Sequence, residues 1–130
     1  MQNLLSYLND SLLFRNFIEV IGGLDNTLLL LVISLPIGFV LSLIFALGRV
    51  SQNKFISKPI ASYIFIIRGT PLLVQIYLIY FGLGSIEFIR ESFLWYLLRE
   101  PFWCGVLALT INTVAYGSEI FRGGIQSVTK

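Results

Sequence analysis

Histidine is missing from this chain of 130 residues, and cysteine occurs only once. Without an imidazole there is no histidine base for catalysis and no histidine ligand for a metal. Cys104 alone cannot close an intramolecular disulfide or build a metal cluster, and it reads as a small apolar side chain within a span. Charge is scarce too: Asp, Glu, Lys and Arg make up 12% of the residues, about half the usual globular share. A soluble domain of this size needs more polar surface, so the composition points to a membrane protein. The nine Lys and Arg are dispersed and the net charge is only +2, which argues against nucleic acid as a partner. No secretory signal is expected, because no cationic stretch precedes an apolar core and Ala-x-Ala is absent. No nucleophile–base pair, phosphate-cradling glycine loop or metal-ligand cluster is visible, so no catalysis, cofactor or metal is assigned.

What is abundant is apolar surface. Hydrophobic residues make up 56% of the chain, and the mean hydropathy is +0.84. Uncharged runs cover 26–48, 69–86 and 101–118, and 59–67 extends the second run upstream of Arg68. A bilayer core of ~30 Å needs about 20 helical residues. The expected fold is therefore an all-α membrane protein, one domain over 1–130, with transmembrane helices at about 25–48, 60–84 and 102–121. An interfacial helix is expected over 11–21, capped by Ser11 and ended by Gly22 and Gly23. Its apolar face would carry Leu13, Phe14, Phe17, Ile18 and Ile21, opposite Arg15, Asn16 and Glu19. The alternative is a polar extension of the first span.

The connector after the first span holds Arg49, Lys54 and Lys58 and no acid, whereas the next mixes Glu87, Arg90, Glu91, Arg99 and Glu100. The purely basic loop should stay cytoplasmic, which puts the N-terminus outside and Arg122 and Lys130 inside. Trp95, Tyr96 and Trp103 then fall near the outer boundary, where 94–98 is either part of a connector or a short surface helix. In the first span Ser34, Gly38, Ser42 and Ala46 recur every four residues and form a ridge of small side chains suited to close helix packing. Pro36 beside it should bend the helix.

The second span carries Arg68, Gly69, Thr70 and Pro71 in succession. Pro71 has no N–H, so the Ile67 carbonyl loses its helical partner, and Thr70 or a water is expected to satisfy it. Gln75 follows one turn later and can bond across helices or to a polar solute. Arg68 reads either as a snorkelling anchor or as a cation facing a solute path. In the third span Asn112, Tyr116 and Glu119 share one face that continues through Gly123, with Thr110 and Thr113 nearby. That stripe suggests an aqueous cavity, although Glu119 is also placed for a local ion pair with Arg122.

Residues 68–75, Arg-Gly-Thr-Pro-Leu-Leu-Val-Gln, with Tyr-Phe-Gly at 80–82, resemble a segment of polar-amino-acid ABC importer permeases of the histidine/glutamine/arginine type. Residues 109–128 resemble the stretch leading into that family's cytoplasmic coupling loop, here approached by Arg122, Ile125, Gln126, Ser127 and Val128. Gly23, Thr27 and Leu28 at the head of the first span, and 46–49 at its foot, are similar too. The resemblance implies the N-terminal part of a type I importer permease in a bacterial cytoplasmic membrane. It implies a second permease subunit, cytoplasmic ATPase subunits that hydrolyse the ATP, and an extracytoplasmic amino-acid-binding protein. It also implies that the chain stops where the family's coupling helix begins, as a fragment or a truncated product not expected to transport alone. On this reading Arg68, Thr70, Pro71, Gln75, Asn112, Tyr116 and Glu119 line the solute path. Gly69 and Pro71 break one helix, and Gly123 with Gly124 forms a hinge. The competing reading is a non-transporting helical scaffold or an inactive fragment.

Overall fold

A computed structural model of the chain describes residues 2–128, with side chains from Ser11 onward. The described residues form helices and no strand: α1 (Gln2–Gly22), α2 (Leu24–Val50), α3 (Lys54–Gly69), α4 (Leu72–Tyr77), α5 (Glu87–Arg90), α6 (Phe93–Leu98) and α7 (Pro101–Val128). Lys130, read from the sequence as a cytoplasmic charge, lies outside the described residues.

The N-terminal helix is present but not separate. Gly23 keeps right-handed helical dihedrals, with φ −82° and ψ −13°. Its N–H donates to the Glu19 and Val20 carbonyls, and its own carbonyl accepts from Thr27 N and Thr27 Oγ1. Glycine permits a turn without requiring one, and here both sides of the glycine stay bonded. Ser11–Val50 is one helical run of 40 residues. At 1.5 Å per residue it is ~60 Å long, about twice a bilayer core, so one end projects beyond the apolar layer. Pro36 lies within α2 without ending it.

The core is the contact between α2 and α7. Ser34, Gly38, Ser42 and Ala46 are the buried residues of α2. Leu30 lies against Gly105, Gly38 against Thr113, and Ser42 against Gly117. Partner numbers rise together, so the two helices run parallel. The Ser42 hydroxyl donates to the Gly38 carbonyl at 2.7 Å and lies 3.1 Å from the Thr113 carbonyl. Small residues let the backbones come this close where lipid supplies no hydrophobic drive.

Parallel α2 and α7 require the chain to return across the layer between Val50 and Pro101. The return is made by α3 and α4, which are bent by 107° at the break after Gly69. Asn53 caps α3 by accepting from Phe55 N at 3.0 Å. Pro59, expected at the head of the span, lies inside the helix. α3 packs back on α2, where Ile60 meets Gly48 and the Phe45 and Tyr63 rings stand 5.3 Å apart. The Tyr63 hydroxyl donates to the Ile111 carbonyl of α7 at 2.6 Å. α4 continues into a π-helical turn over Leu78–Gly82. Two helical runs, Ser11–Val50 and Pro101–Val128, are long and apolar enough to cross a membrane, and the bent pair makes a third if counted as one span.

α7 is longer than the expected 102–121. It starts on Pro101, where a missing N–H costs nothing. It also passes through Gly123 and Gly124 unbroken, contrary to the break expected there. Each interior glycine costs ~1 kcal/mol relative to alanine, which a long helix absorbs. Side chains span the glycines as well: Arg122 Nη1 donates to Gln126 Oε1 at 2.7 Å, and Ser127 Oγ to the Gly124 carbonyl at 2.7 Å.

Candidate functional site

The corner between α3 and α4 is built by the residues that interrupt the helix. Thr70 and Pro71 are both extended, with ψ 138° and 141°. Extended geometry before a proline avoids its ring. The Ile67 carbonyl that Pro71 cannot serve is served three times. Thr70 N reaches it at 3.3 Å, Thr70 Oγ1 at 3.2 Å and Gln75 Nε2 at 2.8 Å. Gln75 Nε2 also lies 3.0 Å from the Thr70 carbonyl and 2.9 Å from Thr70 Oγ1. Gln75 Oε1 accepts from Asn112 Nδ2 of α7 at 3.3 Å. Gln75 is 5% exposed. The structure therefore places Thr70, Gln75 and Asn112 in one buried joint.

In front of the joint lies an open cleft of about 580 Å³ lined by Arg49, Ala61, Ile64, Phe65, Arg68, Gly69, Tyr116 and Glu119. Ala61, Ile64, Phe65 and Arg68 belong to one face of α3 by their helical spacing. The Arg68 guanidinium stands over the Tyr116 ring, 5.3 Å from its centroid. An aromatic face holds a cation without neutralising it, so Arg68 keeps its charge toward the cleft. Glu119 is held by Arg122, whose Nε lies 3.1 Å from both carboxylate oxygens and whose Nη2 lies 2.7 Å from Oε2. Arg49 Nε is 3.9 Å from Glu119 Oε1, and Arg49 Nη1 donates to Ser57 Oγ at 3.2 Å. Three guanidinium groups thus surround or face one carboxylate. The cleft carries a positive excess, with a negative group at one edge.

Of the residues singled out from the sequence, Arg68, Gly69, Tyr116 and Glu119 meet in the cleft, while Thr70, Pro71, Gln75 and Asn112 form the corner behind it. Glu119 takes the local ion pair with Arg122 and also lines the cleft. Gly123, Gly124, Ile125, Gln126, Ser127 and Val128 continue α7 beyond it. Arg49 was read from the sequence only as a loop charge. Its place in the cleft follows from the parallel packing of α2 on α7, which brings the foot of α2 beside Glu119. The opposite charges of Arg49 and Glu119 near the C-terminal ends of two spans were the available signal.

No family model matches the chain. The octopine transport permease OccM of Rhizobium meliloti is 48% identical over 116 residues, which is 89% of this chain and 47% of that protein. The nopaline transport permease NocM of Agrobacterium fabrum is 48% identical over 119 residues, 91% of this chain and 49% of that one. The histidine/lysine/arginine/ornithine transport permease HisM of Escherichia coli is 49% identical over 107 residues, 82% and 45% of the two chains. A crystal structure of an amino acid ABC transporter with histidines superposes with a TM-score of 0.73 at 40% identity, covering 89% of this chain and 50% of that one. The chain spans about half the length of the curated relatives it matches.

Proposed function

From the homology of this membrane chain to the permease subunits of amino acid ABC transport systems, we propose that it forms part of a translocation path for polar amino acids. The homology, at 48% identity over 116 residues, is the observation that carries the reading. The cleft supplies chemistry that suits it. An amino acid is a zwitterion, and the cleft offers guanidinium groups to a carboxylate and Glu119 to an ammonium group. Arg68 is the best placed cation, since it stands over an aromatic face and takes no direct ion pair with Glu119 as Arg122 does. The helix break beside it lies at the level of the cleft, a placement of broken helices common to transporters.

The remaining assignments belong to the same proposal. The parallel α2 and α7 put Arg49 and Arg122 at one end of the bundle, which the positive-inside bias makes cytoplasmic. The N-terminus then lies outside a bacterial inner membrane. ATP hydrolysis falls to separate cytoplasmic subunits, a second permease chain completes the path, and an extracytoplasmic binding protein delivers the solute.

The test is a transplant. The 107 residues matched to HisM replace their counterparts in the Escherichia coli permease, and histidine uptake is measured in whole cells. Uptake is expected to persist, and Arg68→Leu to lower it by about 10- to 100-fold, the range for losing one charged hydrogen bond. A transplant that reaches the membrane at normal level and carries no histidine overturns the reading in favour of a helical scaffold.

A further inference from the structure

Gln75 hydrogen-bonds to every part of the corner. It sits on α4, its amide nitrogen reaches Ile67 at the end of α3 and Thr70 within the break, and its oxygen meets Asn112 on α7. We propose that Gln75 is a positioning residue: its amide holds the α3–α4 corner bent and fixes that corner to α7, and so sets where the Arg68 cation stands over Tyr116. This deepens the proposed path, and only the uptake measurement below depends on that path.

Three observations carry the assignment. First, Gln75 is buried, with both ends of its amide engaged inside the chain, so it has little left to offer a passing solute. Second, the bonds it makes replace what the break removes. Pro71 cannot serve the Ile67 carbonyl, and the shortest donor to that oxygen is Gln75 at 2.8 Å. Without Gln75 that carbonyl keeps only the two longer contacts from Thr70, at 3.2 and 3.3 Å, and losing a buried hydrogen bond weakens the hold on the bent path. Third, Arg68 is one residue beyond Ile67, so the carbonyl that Gln75 grips belongs to the peptide group from which the Arg68 side chain springs. A loosened Ile67 swings Arg68 off the Tyr116 ring.

The link to α7 is the weakest of the set, at 3.3 Å against 2.8–3.0 Å for the bonds within the corner. The corner is therefore bound more closely within itself than to Asn112 of α7.

A spin label at the corner tests this on the chain itself. Cys104 is the only cysteine, so Cys104→Ser removes every native thiol. A side chain at Gly69 meets nothing within 4 Å and needs no left-handed backbone, and the same is true at Gly123 on α7. Gly69→Cys and Gly123→Cys, each in the Cys104→Ser background and each labelled with a nitroxide, are measured in lipid nanodiscs with and without Gln75→Met. Methionine keeps the length of the side chain and loses its hydrogen bonds. The mobile fraction at 69 is expected to rise by at least about fivefold, the shift for losing a single buried hydrogen bond, since Gln75 makes several, with no change at 123. Thr70→Val should act in the same direction. An unchanged spectrum at 69 overturns the proposal. Equal loosening at 69 and 123 also overturns it, because Gln75 would then serve general stability.

The transplanted permease gives a second readout. Gln75→Met and Asn112→Leu should each lower maximal uptake without changing KM, and the double variant should be no worse than the worse single one. Losses that multiply would mean that the two residues act independently, each on the solute, and would overturn the joint. A transplant that carries nothing even without substitutions fails the proposed path and leaves the spin-label result standing.

Discussion

Gly38 and Gly117 mark the closest approach of α2 and α7. A methyl group at 38 would stand 2.7 Å from Thr113 Cγ2 and 2.8 Å from its Cβ, and one at 117 would stand 2.9 Å from Ser42 Cβ. Threonine is stiff about χ1 in a helix and cannot easily turn away. Gly38→Ala is therefore expected to destabilise the bundle by ~1–3 kcal/mol, as overpacking does. Ser42→Ala removes only hydroxyl bonds, about 0.6 kcal/mol for a polar contact in a membrane bundle. Thermal unfolding in detergent should show the larger drop for Gly38→Ala, and the reverse order would mean that hydrogen bonding, not shape, holds the pair. Glu119 decides a second comparison. It is bound closely by Arg122 and loosely by Arg49, at 2.7 Å and 3.9 Å. Glu119→Gln leaves two partly buried cations without their acid and should cost ~1–3 kcal/mol, clearly more than Arg49→Gln in the same melting experiment. The Glu119–Arg122 pair was legible in the sequence from its spacing. Arg49 was not, since only packing brings it near.

Within the elements, the two glycine pairs and the prolines show how local signals compete. Gly22–Gly23 and Gly123–Gly124 both look like helix ends, and both lie in continuous helix. Glycine removes a steric barrier but forces nothing, and the surrounding hydrogen bonds keep the helical path. Pro71 removes a donor and clashes with the turn before it, and the chain breaks there, next to Gly69 and Thr70, whereas Pro36 and Pro59 lie inside helices that continue past them. Replacing Gly123 and Gly124 by Ala should accordingly leave helicity unchanged and raise stability by about 1 kcal/mol per site, because neither new methyl meets anything within 4 Å. A fall in helicity or melting temperature by circular dichroism would show that the chain bends there after all. Gln75 was legible as a polar residue one turn beyond the break. Its direction was not, because a single side chain can turn toward solute, lipid or its own backbone, and the 107° bend decides which is in reach.

For the whole molecule, parallel α2 and α7 fix the path of everything between them. If both cross the membrane, residues near 53 and 127 lie on one side and residues near 85 on the other. Single cysteines at Asn53, Ser85 and Ser127 in the Cys104→Ser background check this with a thiol reagent that does not enter cells. Ser85→Cys is expected to react in intact cells, and the other two only after the membrane is opened. Reaction of Asn53→Cys and Ser85→Cys from the same side would make α3 and α4 a re-entrant loop. The sequence by itself determined the membrane class, the number of apolar segments, the ridge of small residues and the position of the helix break. These depend on hydropathy, on helical period and on a proline that lacks a donor, all of which are local. Tertiary structure alone decided that α2 packs directly on α7, that Arg49 joins Glu119 beside the cleft, and that Gln75 turns inward to Ile67 and Asn112. Those outcomes depend on which surfaces meet over tens of residues, and a helix presents every face until a neighbour covers one.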